Sequence, residues 1–315
     1  MKLAISSCLL GNEVRFDGGH KRDRFITDFL SKYASFIPFC PEALAFGTPR
    51  PSIRLVNQDK SLRIISNKSG EDLTSKLQEQ NNTELKRLKN EDLSGIIFKA
   101  KSPSCGFGSA KIYSPSGHGE GKADGLFVLT SKEHFGHLPM EEEARLIDPW
   151  LRENFIMHLL SYERFKAFKT KEPKMGDLVA FHTVNKFLLQ SKSEALYREL
   201  GSIVANHEKL RFDEALTKYE KIYNRAIAQK SSIKKTRNVL EHMAGFFKND
   251  LEKGEKELLH MMIDEYADKI IPLITPISAI LLLANKYKTS YLLEQTFLAP
   301  YPKDLALRSS VDAGK

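Results

Sequence analysis

Residues Lys2–Cys8, KLAISSC, form a short apolar run that ends in a cysteine. The run predicts a buried β-strand, and the pattern returns at Ser35–Phe39, followed by Cys40, and at Ser94–Ala100, followed closely by Cys105. In open α/β sheets, ligand sites lie beyond the carboxyl ends of the strands. We therefore expect the three cysteines to meet at one edge of a sheet.

Helical and turn patterns separate these strands. Arg24–Tyr33 and Leu73–Lys89 have helical periodicity, and a further helix is expected around Asp124–Ser131. Ser52–Val56 and Leu62–Ser66, with a polar turn between them, predict a β-hairpin. Strands that alternate with helices indicate an α/β, Rossmann-like domain with a mostly parallel sheet.

The chain changes character after about Glu141, where only helical periods remain. We assign residues 1–165 to the α/β domain, 166–176 to a linker with Pro173 and Gly176 among lysines, and 177–315 to a separate all-α domain. Its predicted helices are Leu178–Gln190, Ser193–His207, Phe212–Ala228, Lys234–Asp250, Lys253–Tyr266, Pro276–Tyr287 and Tyr291–Thr296.

The composition is that of a globular protein long enough for two domains. The chain has 315 residues, 28% of them charged, and a formal net charge of +8 that suits an anionic partner such as nucleic acid. Its most apolar stretch, Ile270–Ala284, is shorter than the roughly 20 residues of a membrane span. An odd number of cysteines argues against a disulfide framework. We therefore expect a cytoplasmic protein with no membrane partner.

The cysteine neighbourhoods leave two interpretations open. Their spacing matches no zinc finger and no ferredoxin, and free cysteines are often simply buried in a core. Here, however, they stand in loops beside glycine, proline and serine, as in Cys105-Gly106-Phe107-Gly108. Glycines let the backbone approach a bulky inorganic group, which favours a metal centre.

Four segments resemble the thiouracil desulfidase family of iron–sulfur enzymes. They are Cys8–Gly11 (CLLG), Arg15–Gly18 (RFDG), Cys40–Glu42 (CPE) and Lys101–Gly106 (KSPSCG), and the resemblance covers about residues 1–155. Val14 departs from the pattern, because many single-domain relatives have another cysteine there. The helical half resembles the partner domain of a longer subfamily, the tRNA 4-thiouridine desulfidases, at Phe181–Thr183 (FHT), Tyr197–Gly201 (YRELG) and Asn238–His242 (NVLEH).

The resemblance implies a 4Fe–4S cluster held by Cys8, Cys40 and Cys105, with one iron left without a protein ligand. That iron can accept the sulfur of a thiolated pyrimidine and polarise its C–S bond, since both partners are soft. Water then replaces sulfur, and no net redox change is required. The implied substrate is 4-thiouridine in tRNA, which becomes uridine and sulfide. No DNA partner is expected.

Water attack requires a base, and Glu42 is the best candidate because it follows Cys40 closely. Ser102 is a candidate proton relay or hydrogen-bond donor. Further candidates for substrate binding are Arg15, Asp17, Arg50, Lys101 and Ser104. The structural alternatives are a helix N-terminal carboxylate for Glu42, a loop cap for Ser102 and an ion pair for Arg15, Asp17 and Arg50.

A basic cluster in the helical half is the candidate for RNA binding. It consists of Lys230, Lys234, Lys235 and Arg237, and His182 and His242 are added as possible RNA contacts. A solvated helix end and satisfied core histidines are the alternatives. Two other functions stay open: a desulfidase of free thiouracil or another small thiolated metabolite, and a non-enzymatic, metal-dependent RNA-binding protein.

Overall fold

The computed structural model describes residues 1–206 and 208–310. The chain forms two compact units, Met1–Ile147 and Asp148–Lys315. This boundary differs from our assignment of residues 1–165 to the first domain. A helix begins at Pro149, and the side chain of Asp148 caps it by accepting hydrogen bonds from the first turn, so these residues already belong to the second unit.

The first unit contains two sheets and several helices. Its strands are β1 Lys2–Ser6, β2 Ser35–Phe39, β3 Ile53–Gln58, β4 Ser61–Ser66, β5 Gly95–Phe98, β6 Ala110–Tyr113, β7 Gly119–Ala123 and β8 Met140–Glu142. Its α-helices are α1 Pro41–Phe46, α2 Thr74–Lys89 and α3 Leu126–Phe135. The predicted α/β class is confirmed.

The first sheet has the order β2-β1-β5-β8, and every pair in it is parallel. Leu3, Ala4 and Ile5 on β1 and Ile96 and Ile97 on β5 are fully buried, as expected for central strands of a parallel sheet. The strand order reverses between β1 and β5. The loops that follow β1, β2 and β5 therefore share one edge, where a binding crevice is expected.

The second sheet has the order β4-β3-β6-β7. The predicted hairpin is confirmed as the antiparallel pair β3–β4, while β6 runs parallel to β3. Ile53, Leu55, Ile64, Leu77 and Ala110 form the core between this sheet and α2.

The segment Arg24–Tyr33 is not a regular α-helix. It forms a π-helical turn at Phe25–Phe29 and a 3₁₀ turn at Leu30–Lys32. Only Ile26 and Leu30 are buried in these turns, so packing holds the segment at two points rather than along a full helical stripe.

The second unit is helical, as predicted. Its helices are α4 Pro149–Lys169, α5 Met175–Val184, α6 Lys186–Lys192, α7 Glu194–Ala205, α8 Phe212–Ile227, α9 Ile233–Ala244, α10 Lys253–Ala267, α11 Ile274–Lys286 and α12 Ser290–Leu293. The predicted linker is reduced to residues 170–174, because its ends belong to α4 and α5. No helix within residues 1–206 and 208–310 is long and apolar enough to cross a membrane.

Two predicted helices differ from those observed. Leu178–Gln190 is interrupted at Asn185, whose side-chain amide donates to the carbonyl oxygen of Phe181 at 2.8 Å and ends α5. Lys234–Asp250 is α-helical only to Ala244 and then tightens into a 3₁₀ turn. The predicted end at His207 and residues 311–315 of the assigned all-α domain lie outside the described residues.

Candidate active site

The three cysteines line one cavity of about 830 Å³. Cys8 lies in the 3₁₀ turn that directly follows β1, Cys40 is the N-cap of α1 directly after β2, and Cys105 lies in the loop between β5 and β6. The structure thus brings together the side chains that the strand pattern placed at one edge. A cavity of this volume can hold a nucleotide-sized ligand.

The thiols are unpaired and largely buried. Burial, followed by the charge of Cys40, raises the pKa of the Cys8 thiol to about 12. Burial also raises the pKa of Cys40 and of Cys105. Thiols in such surroundings ionise when a metal binds them, because the cation offsets the cost of a buried thiolate.

The donor set fits an iron–sulfur cluster. Three thiols on three separate loops, with no histidine lining the cavity, are soft ligands of the kind that such clusters require. Within the described parts of the chain, no three His, Cys, Asp or Glu side chains are close enough together to hold a single metal ion.

Glu42 lies beside the thiols and is held from both sides. Its Oε1 accepts hydrogen bonds from the hydroxyls of Ser104 at 2.5 Å and Ser102 at 2.8 Å, and its Oε2 accepts one from Nη2 of Arg50 at 3.0 Å. Glu42 is also in the first turn of α1, as the structural alternative required. Glu42 also lines the cavity, so its place in the first turn of α1 is compatible with a second role as a base.

Arg50 is a positioning residue and not a free cation. Its side chain is only 3% exposed, and Nη1 donates to the carbonyl oxygens of Val14 at 2.9 Å and Gly47 at 3.0 Å. Nη2 is bound to Glu42, while the buried Nε has no hydrogen-bond partner among the described residues. The structural ion pair is therefore present and orients Glu42, and substrate binding by Arg50 stays a prediction.

Ser102 organises the loop that carries Cys105. Its hydroxyl accepts hydrogen bonds from the backbone N–H groups of Cys105 at 3.0 Å and Ser104 at 3.2 Å while it donates to Glu42. The hydroxyl oxygen of Ser102 therefore both caps the loop and connects it to the candidate base Glu42. Ser104 is fully buried, and its hydroxyl is 3.4 Å from the sulfur of Cys105.

Gly125 allows this loop to pack closely against the start of α3. A Cβ atom at Gly125 would lie 2.4 Å from the carbonyl carbon of Ser104, which is closer than side chains tolerate. The N–H of Gly125 also donates to the carbonyl oxygen of Gly106 at 2.8 Å. The need for glycine here arises from tertiary contact, and the local sequence does not reveal it.

Two carboxylates at the end of β8 hold the same loop, and the sequence did not indicate them. Oε2 of Glu142 accepts hydrogen bonds from the hydroxyl of Ser109 at 2.5 Å and the backbone N–H of Phe107 at 3.1 Å. Oε2 of Glu143 accepts one from the backbone N–H of Ala100 at 2.6 Å, and its Oε1 pairs with Lys99. The loop is therefore tied to β8 at both of its stems.

Glu142→Ala should lower the iron bound per chain after purification and dialysis without unfolding the protein. The change removes the carboxylate that accepts from the partly buried N–H of Phe107, which costs up to about 1–3 kcal/mol and loosens the loop that carries Cys105. Glu133→Ala, on the exposed surface of α3, is the control. Iron content and circular dichroism check the result; wild-type iron retention in Glu142→Ala would show that the loop holds its shape without this contact.

The remaining charges around the cavity are mostly positive. Arg15 pairs with Asp17 at 3.5 Å, and Asp17 also accepts a hydrogen bond from the N–H of Gly19, so Asp17 shapes its turn and does not line the cavity. Lys21, Lys101 and Lys111 also line it; all three are exposed, and none has an ion pair with a carboxylate among the described residues. The cavity is therefore suited to an anionic ligand.

His182 does not fit the prediction of an RNA contact. Its ring is buried, stacks on Tyr197 with centroids 5.3 Å apart, and has Nδ1 3.2 Å from the hydroxyl of Tyr219. Burial lowers the pKa of His182 to about 4. It is a satisfied core histidine, whereas His242 is exposed and stays a prediction.

The basic cluster of the second unit is largely engaged in internal contacts. Lys235 donates to the carbonyl oxygens of Lys192 at 2.7 Å and Lys230 at 3.1 Å, and Arg237 pairs with Asp264 at 2.5 Å. The ammonium of Lys230 lies 5.4 Å from the centroid of the Trp150 ring. Lys234 is exposed and has none of these contacts within the described residues, so the charge available to an external anion is smaller than the sequence suggested.

Comparisons with known proteins match one family to the first part of the chain and another to the second. Residues 3–143 match the family model described as 2-thiouracil desulfurase, and residues 186–302 match a family described as a protein of unknown function, DUF1722. A solved structure titled [4Fe-4S]-dependent thiouracil desulfidase TudS is 27% identical, covers 46% of this chain and 92% of its own, and has a TM-score of 0.38.

Two curated relatives are similar to parts of the chain. The uncharacterized protein YbgA of Escherichia coli is 26% identical over 159 residues, which are 50% of this chain and 94% of YbgA. The uncharacterized protein YbbK of Bacillus subtilis is 32% identical over 113 residues, which are 34% of this chain and 74% of YbbK. Together with the three-cysteine cavity, these matches show that the chain belongs to the 2-thiouracil desulfurase family.

Proposed function

We propose that this protein is an iron–sulfur-dependent desulfidase that converts a thiolated uracil, 4-thiouridine in tRNA, to uridine with release of sulfide. One observation carries the proposal: in a chain of the 2-thiouracil desulfurase family, three thiols and a hydrogen-bonded carboxylate line the same cavity. The thiols supply ligands for a metal centre, and the carboxylate supplies a base beside it.

Cys8, Cys40 and Cys105 would hold a 4Fe–4S cluster. Such a cluster supplies an iron without a protein ligand, which accepts a soft sulfur donor and polarises its C–S bond. Burial raises the pKa of the three thiols, so cluster binding would have to supply the positive charge that favours their ionised form.

Glu42 acts as the base that takes a proton from water as the water oxygen bonds to the ring carbon. Ser104 and Ser102 fix one oxygen of its carboxylate, and Arg50 fixes the other, so the group is oriented before substrate arrives. The C–S bond breaks, the second proton of water and the proton on Glu42 pass to the departing sulfide, and the products are the oxo base and H₂S. The oxidation states do not change.

The unpaired ammonium groups around the cavity favour a phosphorylated substrate over a free base. Lys21, Lys101 and Lys111 line the cavity and face no carboxylate in the part of the chain that the structure describes. Neutral thiouracil has no charge with which to bind three cations, whereas the phosphates that flank a nucleotide in RNA are anionic and bind such groups. This observation ranks tRNA above a small uncharged metabolite.

The test compares substrates on the full chain, purified anaerobically with its iron. The protein is incubated separately with 4-thiouridine-containing tRNA, 4-thiouridine monophosphate and free 4-thiouracil, and the bases are quantified. We expect tRNA to be converted with the highest kcat/KM. Preference for the monophosphate or the free base would support the small-metabolite alternative, and no conversion of any of them would support a non-enzymatic role.

Lys234→Glu should weaken tRNA binding and flatten its dependence on salt. The slope of log Kobs against log[salt] is negative, and each lost phosphate contact makes it less negative by about 0.7–0.9. Lys253→Glu on α10, whose side chain is 91% exposed, is the charge-matched control. Filter binding at several salt concentrations measures the slope; equal effects from both variants would mean that Lys234 acts only through net charge.

A further inference from the structure

Residues Val14–Phe16 line the cavity next to Cys40 and Arg50. The carbonyl oxygen of Val14 lies 3.9 Å from the sulfur of Cys40 and accepts a hydrogen bond from Arg50, whose own backbone N–H donates to the carbonyl oxygen of Phe16 at 3.0 Å. The segment is therefore tied both to a candidate cluster ligand and to the residue that orients Glu42.

Phe16 lines the cavity and yet leaves 42% of its surface exposed. A tight turn fixes its neighbour Arg15, because the N–H of Gly18 donates to the carbonyl oxygen of Arg15 at 3.0 Å. The guanidinium of Arg15 lies 5.4 Å from the centroid of the Phe16 ring and lines the same cavity. An aromatic ring beside a guanidinium is a combination that holds unstacked nucleobases.

We infer that Phe16 is the surface on which the uracil ring of the substrate stacks at the mouth of this cavity. The inference rests on the proposed function, since it takes a uracil nucleotide as the ligand. A base removed from the stack of a folded RNA loses its π contacts, and an aromatic ring held in place beside the reacting centre restores one of them. The hydrogen bond from Arg50 to the carbonyl oxygen of Phe16 fixes the backbone at this position, while the ring stays partly exposed.

The chain offers a matched control. Phe29 is 49% exposed and has a cation, Lys32, 5.7 Å from its ring centroid, but it does not line the cavity. It shares the residue type, the exposure and the cation–aromatic contact of Phe16 and differs from it in position.

The experiment measures binding of uridine 5′-monophosphate and of ribose 5-phosphate to the iron-loaded full chain by calorimetry. Phe16→Ala and Phe16→Leu should weaken the uridine nucleotide by about tenfold and leave ribose 5-phosphate unchanged, because only the base stacks. Phe16→Tyr should bind as the wild type does, and Phe29→Ala should change neither ligand. Iron content and circular dichroism verify that each variant is folded.

The outcomes separate this inference from the proposed function. If Phe16→Ala binds the uridine nucleotide as tightly as the wild type, or if Phe16→Leu restores binding, the stacking role is overturned while conversion of thiolated substrates is untouched. If Phe16→Ala loses the nucleotide although the wild type converts no thiolated base, the stacking role stands and the desulfidase function fails. A wild-type protein that binds no uridine nucleotide overturns the inference.

Discussion

Single replacement of Cys8, Cys40 or Cys105 with Ala should remove most of the iron from the anaerobically purified protein and abolish desulfidase activity. Wild-type protein should be brown and carry about four irons per chain, because thiolates are the usual ligands of 4Fe–4S clusters. Each thiol comes from a different loop of one cavity, so no remaining cysteine is placed to substitute for a lost one.

The control for the cysteine variants is Val14→Ala. Val14 lines the same cavity but contacts Cys40 and Arg50 through its backbone carbonyl, so its side chain should be dispensable for iron binding. Iron and acid-labile sulfide per chain are the measurements. Full iron content in any one cysteine variant would remove that residue from the ligand set.

Glu42→Gln should reduce kcat by about 10²–10⁴-fold while the iron content stays at the wild-type level. The amide keeps the size of the carboxylate and can still accept from Ser102 and Ser104, but it cannot take a proton from water. The variant also loses the charge that faces the buried guanidinium of Arg50, so thermal stability is measured alongside activity.

Glu13→Gln, in the exposed turn after Cys8, is the control for Glu42→Gln. Rates are compared at equal iron content, so that a lower rate reports chemistry and not cluster loss. Activity of Glu42→Gln within a factor of two of the wild type would make Glu42 structural, with its role limited to anchoring Arg50 and the loop that carries Cys105.

The apolar runs of β1 and β5 predicted both the sheet and the convergence of the cysteines. Central parallel strands are buried on both faces, so they stand out in sequence, and their carboxyl ends share one edge. β6, β7 and β8 are short, β6 and β7 are partly exposed, and the pairing of β6 and β8 depends on neighbours that are distant in sequence. Periodicity therefore could not reveal them.

The supporting residues of the site were harder to predict than the ligands. Glu142 and Glu143 matter because β8 pairs with β5, and this long-range pairing places two carboxylates beside the loop that carries Cys105. Arg50 illustrates the same limit: its charge suggested a contact to the base or phosphate of the substrate, and the sequence did not reveal its contacts to Glu42 and to backbone oxygens. A sequence shows which residues are charged but does not show which groups those residues contact.

In the helical unit, burial and internal contacts determine which of the predicted RNA-binding side chains are available to an external ligand. A histidine at a helical period can face the core or the solvent, and His182 faces the core. Lys235 and Arg237 are exposed, yet hydrogen bonds to backbone oxygens and an ion pair occupy their charges. A count of basic residues therefore overestimates the surface available to RNA.

We propose that this cavity hydrolyses a thiocarbonyl without redox chemistry. The most direct test incubates the iron-loaded protein anaerobically with 4-thiouridine-containing tRNA in H₂¹⁸O, with no reductant or oxidant added, and measures uridine, its oxygen isotope and sulfide together. We predict one sulfide for each uridine formed, ¹⁸O in the new carbonyl group, and no product from the Cys105→Ala variant. Protein that retains its iron but forms no uridine, or that forms uridine only when a reductant is supplied, would contradict that claim.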